Sequence, residues 1–275
     1  MRYRLLVSGL AHQHSLPHLS APEARLSAVL SQPRAIAIGC VVTLTALGWL
    51  AIGLMSVQSP LSWQVLCQPG AAGGSAGLAV IGLMWMAMTL AMMLPTAGPM
   101  ILTYAEIADT AAQKREPVVS PLVLTAGYVA VWLGFAMLAA CLQWLVGGAG
   151  LLDGVGAGRF AAGVLFVGAG LYQFSSLKQA CLTQCQRPFP FFFANWTTER
   201  NGVLWLGVRQ GMICLGCCWA MMGLMFALGS MNIVWMAALG VVMTIEKLST
   251  TIRFSRAVGV AFVTLGCVLV AWSAV

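Results

Sequence analysis

Cys214-Leu-Gly-Cys217-Cys218-Trp219 is the densest concentration of chemically active side chains in this sequence. It lies midway along an apolar run from Val203 to Leu228 that reads as a membrane-spanning helix. On a helix, residues three and four apart are neighbours. Cys214, Cys217 and Cys218 therefore share one face, which continues through Met221 and Met225. Thiols fill less volume than Leu or Ile, so three of them so close together point to sulfur chemistry. A soft, sulfur-lined face suits a soft metal such as Cu(I). The competing reading is close packing by small residues, helped by Gly211, Gly216 and Gly223.

A second sulfur cluster occurs in the run around Met84 to Pro95. Met84, Met88 and Met92 repeat every four residues along one stripe, and Met86 and Met93 lie seven apart on another. Of the chain's 16 Met, six fall within Met84–Met100 and seven within Met212–Met243. Thioethers bind soft metals more weakly than thiolates, and Met also packs adaptably in any apolar setting. Pro95 and Pro99 are expected to kink or end this helix. Cys214 begins about eleven residues into its span, or roughly 17 Å at 1.5 Å per residue. Met88 and Met92 fall at a similar depth, so the two clusters are able to meet near the midplane.

Four further positions stand out. Cys181 and Cys185 are one turn apart if helical, and suit a transfer site that passes metal to or from the Cys214 cluster. Glu246, beside Lys247, reads as an interfacial ion pair or as a proton or metal acceptor. Arg209 lies inside a span and is expected to reach the interface as an anchor. Cys40, Cys67, Cys141 and Cys267 are isolated and read as structural.

The elements that must position these residues follow from composition. The chain is 60% hydrophobic and only 8% charged, with mean hydropathy +0.90, which excludes an ordinary soluble domain. Continuous apolar runs without alternation specify helices rather than a barrel. The fold class is all-α: a polytopic transmembrane helix bundle of about seven spans, near 35–57, 77–103, 120–146, 157–178, 203–228, 231–247 and 257–275. Twelve of the 14 basic residues then fall on one side, which gives a cytoplasmic N-terminus and an external C-terminus. Residues 1–34 form a loosely ordered cytoplasmic tail containing His12, His14 and His18, and 35–275 a single transmembrane domain. The tail does not resemble a cleaved signal peptide. The net charge of +7 is explained by the sidedness, so no nucleic-acid partner is implied. No phosphate loop, dinucleotide turn or Ser-His-Asp set is present, and intramembrane His is absent.

Several separated motifs, in order, carry a family resemblance. They are Trp85-Met86-Ala87-Met88 with Ala91-Met92-Met93-Leu94-Pro95, Cys181-Leu-x-x-Cys185, and Cys214-Leu-Gly-Cys217-Cys218-Trp219-Ala220-Met221-Met222. Met231-Asn232-x-x-Trp235-Met236 and Glu246-Lys247 follow. From about Ala79 to Val275 the chain resembles a bacterial family of uncharacterised, predicted metal-binding integral membrane proteins. That resemblance implies a multi-helix inner-membrane protein and metal ligands drawn from Met88, Met92, Met93, Cys181, Cys185, Cys214, Cys217, Cys218 and Glu246.

The leading expectation is a protein of the bacterial inner membrane that handles Cu(I), moving it or delivering it to a cuproenzyme, with a metallochaperone as a further potential partner. Thiolates of Cys214, Cys217 and Cys218 would hold the ion, with Met88, Met92, Met221 and Met225 as thioether partners. Two other readings stay open. One is a thiol-redox membrane protein that exchanges disulfides between Cys181/Cys185 and Cys214/Cys217. The other is a non-catalytic subunit of a larger membrane complex. An oligomer is compatible with each.

Overall fold

The computed structural model describes residues 33–57, 75–148, 155–228, 233–249 and 251–273. The histidine tail, the loop with Cys67, and Asn232 lie outside the described residues. The elements are α1 (Pro33–Val57), α2 (Ser75–Gln113), α3 (Pro121–Gly148), α4 (Val155–Tyr172), α5 (Ser176–Gln186), α6 (Pro188–Ala194), α7 (Arg200–Gly223), α8 (Met225–Leu228), α9 (Ile233–Leu248) and α10 (Ile252–Ser273). There is no strand among the described residues. Helices are the expected outcome for such apolar segments, because each satisfies its own backbone without help from water.

Among the described residues, five helical segments are long and apolar enough to cross a membrane: Arg34–Leu54, Gly77–Gln113, Pro121–Val146, Arg200–Gly223 and Ile252–Ser273. A sixth arises if Gly158–Tyr172 and Ser176–Gln186 are joined across their 65° bend. The segment expected as the sixth of seven spans is α9, which has 16 residues. At 1.5 Å per residue that is roughly 24 Å, short of a hydrocarbon core of about 30 Å.

At the centre lies α2, with Trp85, Met88, Ile101 and Tyr104 fully buried. It runs for 39 residues through both Pro95 and Pro99, so of the two expected outcomes, a kink or an end, the helix does not end there. Close to Pro95, Thr96 Oγ1 donates to Met93 O at 2.8 Å and Tyr128 OH to the same carbonyl at 3.1 Å. The outer helices point large apolar side chains away from the protein, among them Val42 and Leu50 of α1 and Val260, Val268 and Trp272 of α10.

The bundle is held by close helix crossings at small residues. Gly163 and Gly170 of α4 meet Gly266 and Gly259 of α10 through their backbones. The crossing that matters for the site joins α3 to α7. A methyl on Gly127 would strike the Leu204 carbonyl oxygen, and one on Gly207 the Leu124 carbonyl oxygen. Backbone meets backbone here, and neither side can yield. This contact sets Tyr128 of α3 against the cysteine face of α7.

Gly207→Val is therefore expected to drive α3 from α7 and to destabilise the protein by about 1–3 kcal/mol or more. A lower midpoint of thermal unfolding in detergent would register it. Gly134→Ala, where nothing lies within 4 Å of the added carbon, should leave that midpoint unchanged.

Candidate metal centre

The centre is assembled from α7, α5, α9, α3 and α2. The three-and-four spacing of α7 places Cys214, Cys217 and Cys218 inward, all buried. The α5 helix begins where the Ser175 hydroxyl accepts from the Lys178 backbone N–H at 3.1 Å. It ends before Pro188, the first residue of α6. Lys178, Cys181, Leu182 and Cys185 recur at helical spacing. Lys178 and Leu182 are buried, and the two thiols half-buried, whereas Leu177, Thr183 and Gln184 are exposed.

A Cβ on Gly216 would lie 2.6 Å from Cys181 Sγ, so the missing side chain at 216 lets α5 settle on α7. That approach delivers Cys185 to the cysteine face. The sulfurs of Cys185, Cys214 and Cys217 all lie within 4.8 Å of one another. Cys185 Sγ is 3.8 Å from Cys217 Sγ, and Cys217 Sγ is 3.3 Å from Cys218 Sγ. Three sulfurs sharing one ion at ~2.3 Å each would stand roughly 4.0 Å apart. The group thus needs only small adjustments to close around a thiophilic ion.

Cys214 is the polar focus. Lys247 Nζ of α9 donates to its Sγ at 3.0 Å and to Thr96 Oγ1 at 2.6 Å. Tyr128 OH stands 3.0 Å from the same sulfur. A buried ammonium at this distance counterbalances negative charge on the sulfur and is itself compensated by it. Beside these groups is a cavity of about 10 Å³, lined by Cys185, Cys214, Lys247, Tyr128 and Gln210 among others. The Gln210 Nε2 is buried and has no hydrogen-bond partner among the described residues. Sulfur donors, a compensating cation and room for one small ion fit Cu(I) as a bound species.

The structure joins Cys185 to Cys214 and Cys217, with Cys218 in sulfur contact at the edge. Cys181 faces Gly216 instead, one turn away. Met88, Met92, Met93, Met221 and Met225 are all buried in the same core, and Met93 contributes its carbonyl to Tyr128. Glu246 pairs with Lys178 at 2.8 Å and not with its neighbour Lys247, because adjacent residues on a helix point about 100° apart. Arg209 is exposed, donates to Asn195 Oδ1 at 3.0 Å and lies over the Phe191 ring, as an interfacial anchor would. Sequence reasoning missed Lys247, Tyr128, Thr96 and Gln210 as members of the centre. A signal existed for Lys247 alone: it follows Met236 and Met243, both buried, at helical spacing.

Residues 82–269 match a family model described as a copper chaperone, PpoB2. No curated protein and no solved structure matches the chain.

Lys247→Met keeps the length of the side chain but removes its charge. It is expected to weaken Cu(I) binding about 10–100-fold, the equivalent of one charge-assisted hydrogen bond of roughly 1.5–3 kcal/mol. Competition against a chromophoric Cu(I) chelator measures this.

Proposed function

Since the chain belongs to the PpoB2 copper-chaperone family, we propose that it is a membrane protein that takes up Cu(I) on Cys185, Cys214 and Cys217 and passes it to a copper protein. The observation that carries this reading is the convergence of those three sulfurs beside Lys247. Cu(I) held by two thiolates carries one net negative charge, which a single ammonium cancels. Near-neutrality is what a low-dielectric interior requires of a bound ion. With a third sulfur in reach, the ion can change partners without leaving the site. Ligand exchange of this kind suits delivery better than permanent storage.

Buried Met88, Met92, Met93, Met221 and Met225 supply weaker thioether positions through which the ion moves toward or away from the thiols. Cys218 is a reserve thiol, and Cys181 a relay on the half-buried side of α5. The seven-span arrangement with a cytoplasmic N-terminus, in a bacterial inner membrane, is our reading of the charge sidedness. The exposed apolar flanks of α1 and α10 support a lipid environment. The donor would be a soluble metallochaperone, and the recipient a membrane or external cuproenzyme.

The 3.8 Å contact between Cys185 and Cys217 favours one second reading, a thiol-redox protein. There two thiols would lose two electrons and two protons to a quinone or a partner disulfide.

Elemental analysis of the reduced, detergent-purified protein beside its Cys185/Cys214/Cys217 triple Ser variant separates the two. Copper handling predicts about one copper per chain after Cu(I) reconstitution, lost in the variant. Metal-free protein in both samples, together with a thiol count that changes reversibly with oxidant, would transfer the assignment to thiol exchange.

A further inference from the structure

Beyond the thiols lies a polar-lined cavity of about 150 Å³ between α5, the end of α9 and the start of α10. Gln179, Thr183, Gln186, Glu246, Thr251 and Ser255 line it. The Glu246 residue is only 3% exposed. One of its carboxylate oxygens accepts from Lys178. The other, Oε1, is buried without a hydrogen-bond partner among the described residues. Buried carboxylate oxygens are rarely left unsatisfied, and a polar chamber of this size holds several waters.

The register of the two cavities is informative. Cys185 and Lys247 line the small cavity at the thiols, whereas Gln186 and Glu246 line the larger one. Consecutive residues on both helices thus face different cavities, which places the cavities on opposite sides of a single seam between α5 and α9. Two contacts close that seam. One is the Lys178–Glu246 ion pair. The other is Gln186, whose Nε2 donates to Glu246 O at 2.9 Å and to Ser249 O at 2.6 Å. Of the three clustered ligands, Cys185 alone sits on α5, the helix that this seam clamps. At the other end of α5 from Cys185, the chain bends by 65° out of α4.

We propose that the Glu246-lined chamber is the aqueous route by which Cu(I) reaches and leaves the three thiols, with the Lys178–Glu246 pair as the latch that holds Cys185 over the cargo. This rests on the copper-handling reading. The chamber offers oxygen and amide donors, which bind Cu(I) poorly, so the ion passes through and is retained only at sulfur. Transfer is a ligand exchange in which no electron moves. The bond from Cu(I) to a carrier thiolate breaks as the bond to Cys185 Sγ forms, and the Cys185 proton goes to the departing carrier sulfur. Release runs the same steps in reverse.

The test measures rates and equilibrium separately on the full-length protein in detergent. Cu(I) loading and removal are followed by stopped flow with bicinchoninate as donor and acceptor, beside stoichiometry at equilibrium. Glu246→Gln weakens the latch and is expected to accelerate both rates about tenfold, the kinetic equivalent of losing one charge-assisted contact. Thr183→Trp fills the chamber from an exposed position, which should spare folding, and is expected to slow both rates by about the same factor. Stoichiometry should match wild type in each. Rates within about twofold of wild type for Thr183→Trp, with stoichiometry intact, overturn the route. Unchanged rates for a folded Glu246→Gln overturn the latch. If Glu246→Gln does not fold, Thr183→Trp decides the question alone. Wild-type protein that binds no Cu(I) overturns the copper reading instead, so the two failures are distinguishable.

Discussion

Burying a lysine in an apolar bundle is tolerable only when a partner compensates its charge, and this protein buries two. Lys178 is 1% exposed and Lys247 8%. Stripping the partner from a buried ion pair leaves an uncompensated charge at a cost of about 3–5 kcal/mol. Each lysine is therefore a strong constraint on which helices meet and in what register. Lys178 ties α5 to α9 through Glu246. From the next residue, Lys247 ties α9 to α7 through Cys214 and to α2 through Thr96. Four helices are brought to one place by two cations.

The two sides of the centre differ in how firmly they are built. Cys214, Cys217 and Cys218 stand on α7, which is locked to α3 by backbone contact at Gly127 and Gly207. Cys185, half-buried, stands on an 11-residue helix that follows a 65° bend and is docked at Gly216, by an ion pair and by Gln186. A site for holding metal gains from rigidity in every ligand. A site for passing metal on gains from one ligand that can leave, because exchange through a low-coordinate state is then accessible. The less firmly built side at Cys185 is in keeping with the delivery role proposed above.

Much of the centre was legible in the sequence where helical periodicity alone determines neighbours. The cysteine face of α7 is an example, because spacing within one helix leaves no freedom in which residues adjoin. Pairing Cys181 with Cys185 on one short helix was legible for the same reason, although only Cys185 joins the cluster. Glu246 was read as a pair with adjacent Lys247 or as a proton or metal acceptor; its ion-pair partner is Lys178, because the helix turns neighbouring side chains apart. Lys178 and Lys247 were counted as charges facing water, since their burial depends on partners 68 and 33 residues away in the chain. Pro95 and Pro99 were read as kinking or ending their helix, and α2 runs on through both.

By itself, the sequence determined that the chain is a bundle of apolar helices, where the sulfur lies, and which face of each helix carries it. Those properties are local: they follow from hydropathy, from the 3.6-residue period and from residue chemistry. Tertiary structure decided which sulfurs meet, that Lys247 and Tyr128 focus on Cys214, and that Lys178 holds Glu246. These depend on crossings between helices far apart in the chain. Such crossings are set by where glycine lets backbones touch and where buried charge must find its partner, and neither is encoded within a single helix.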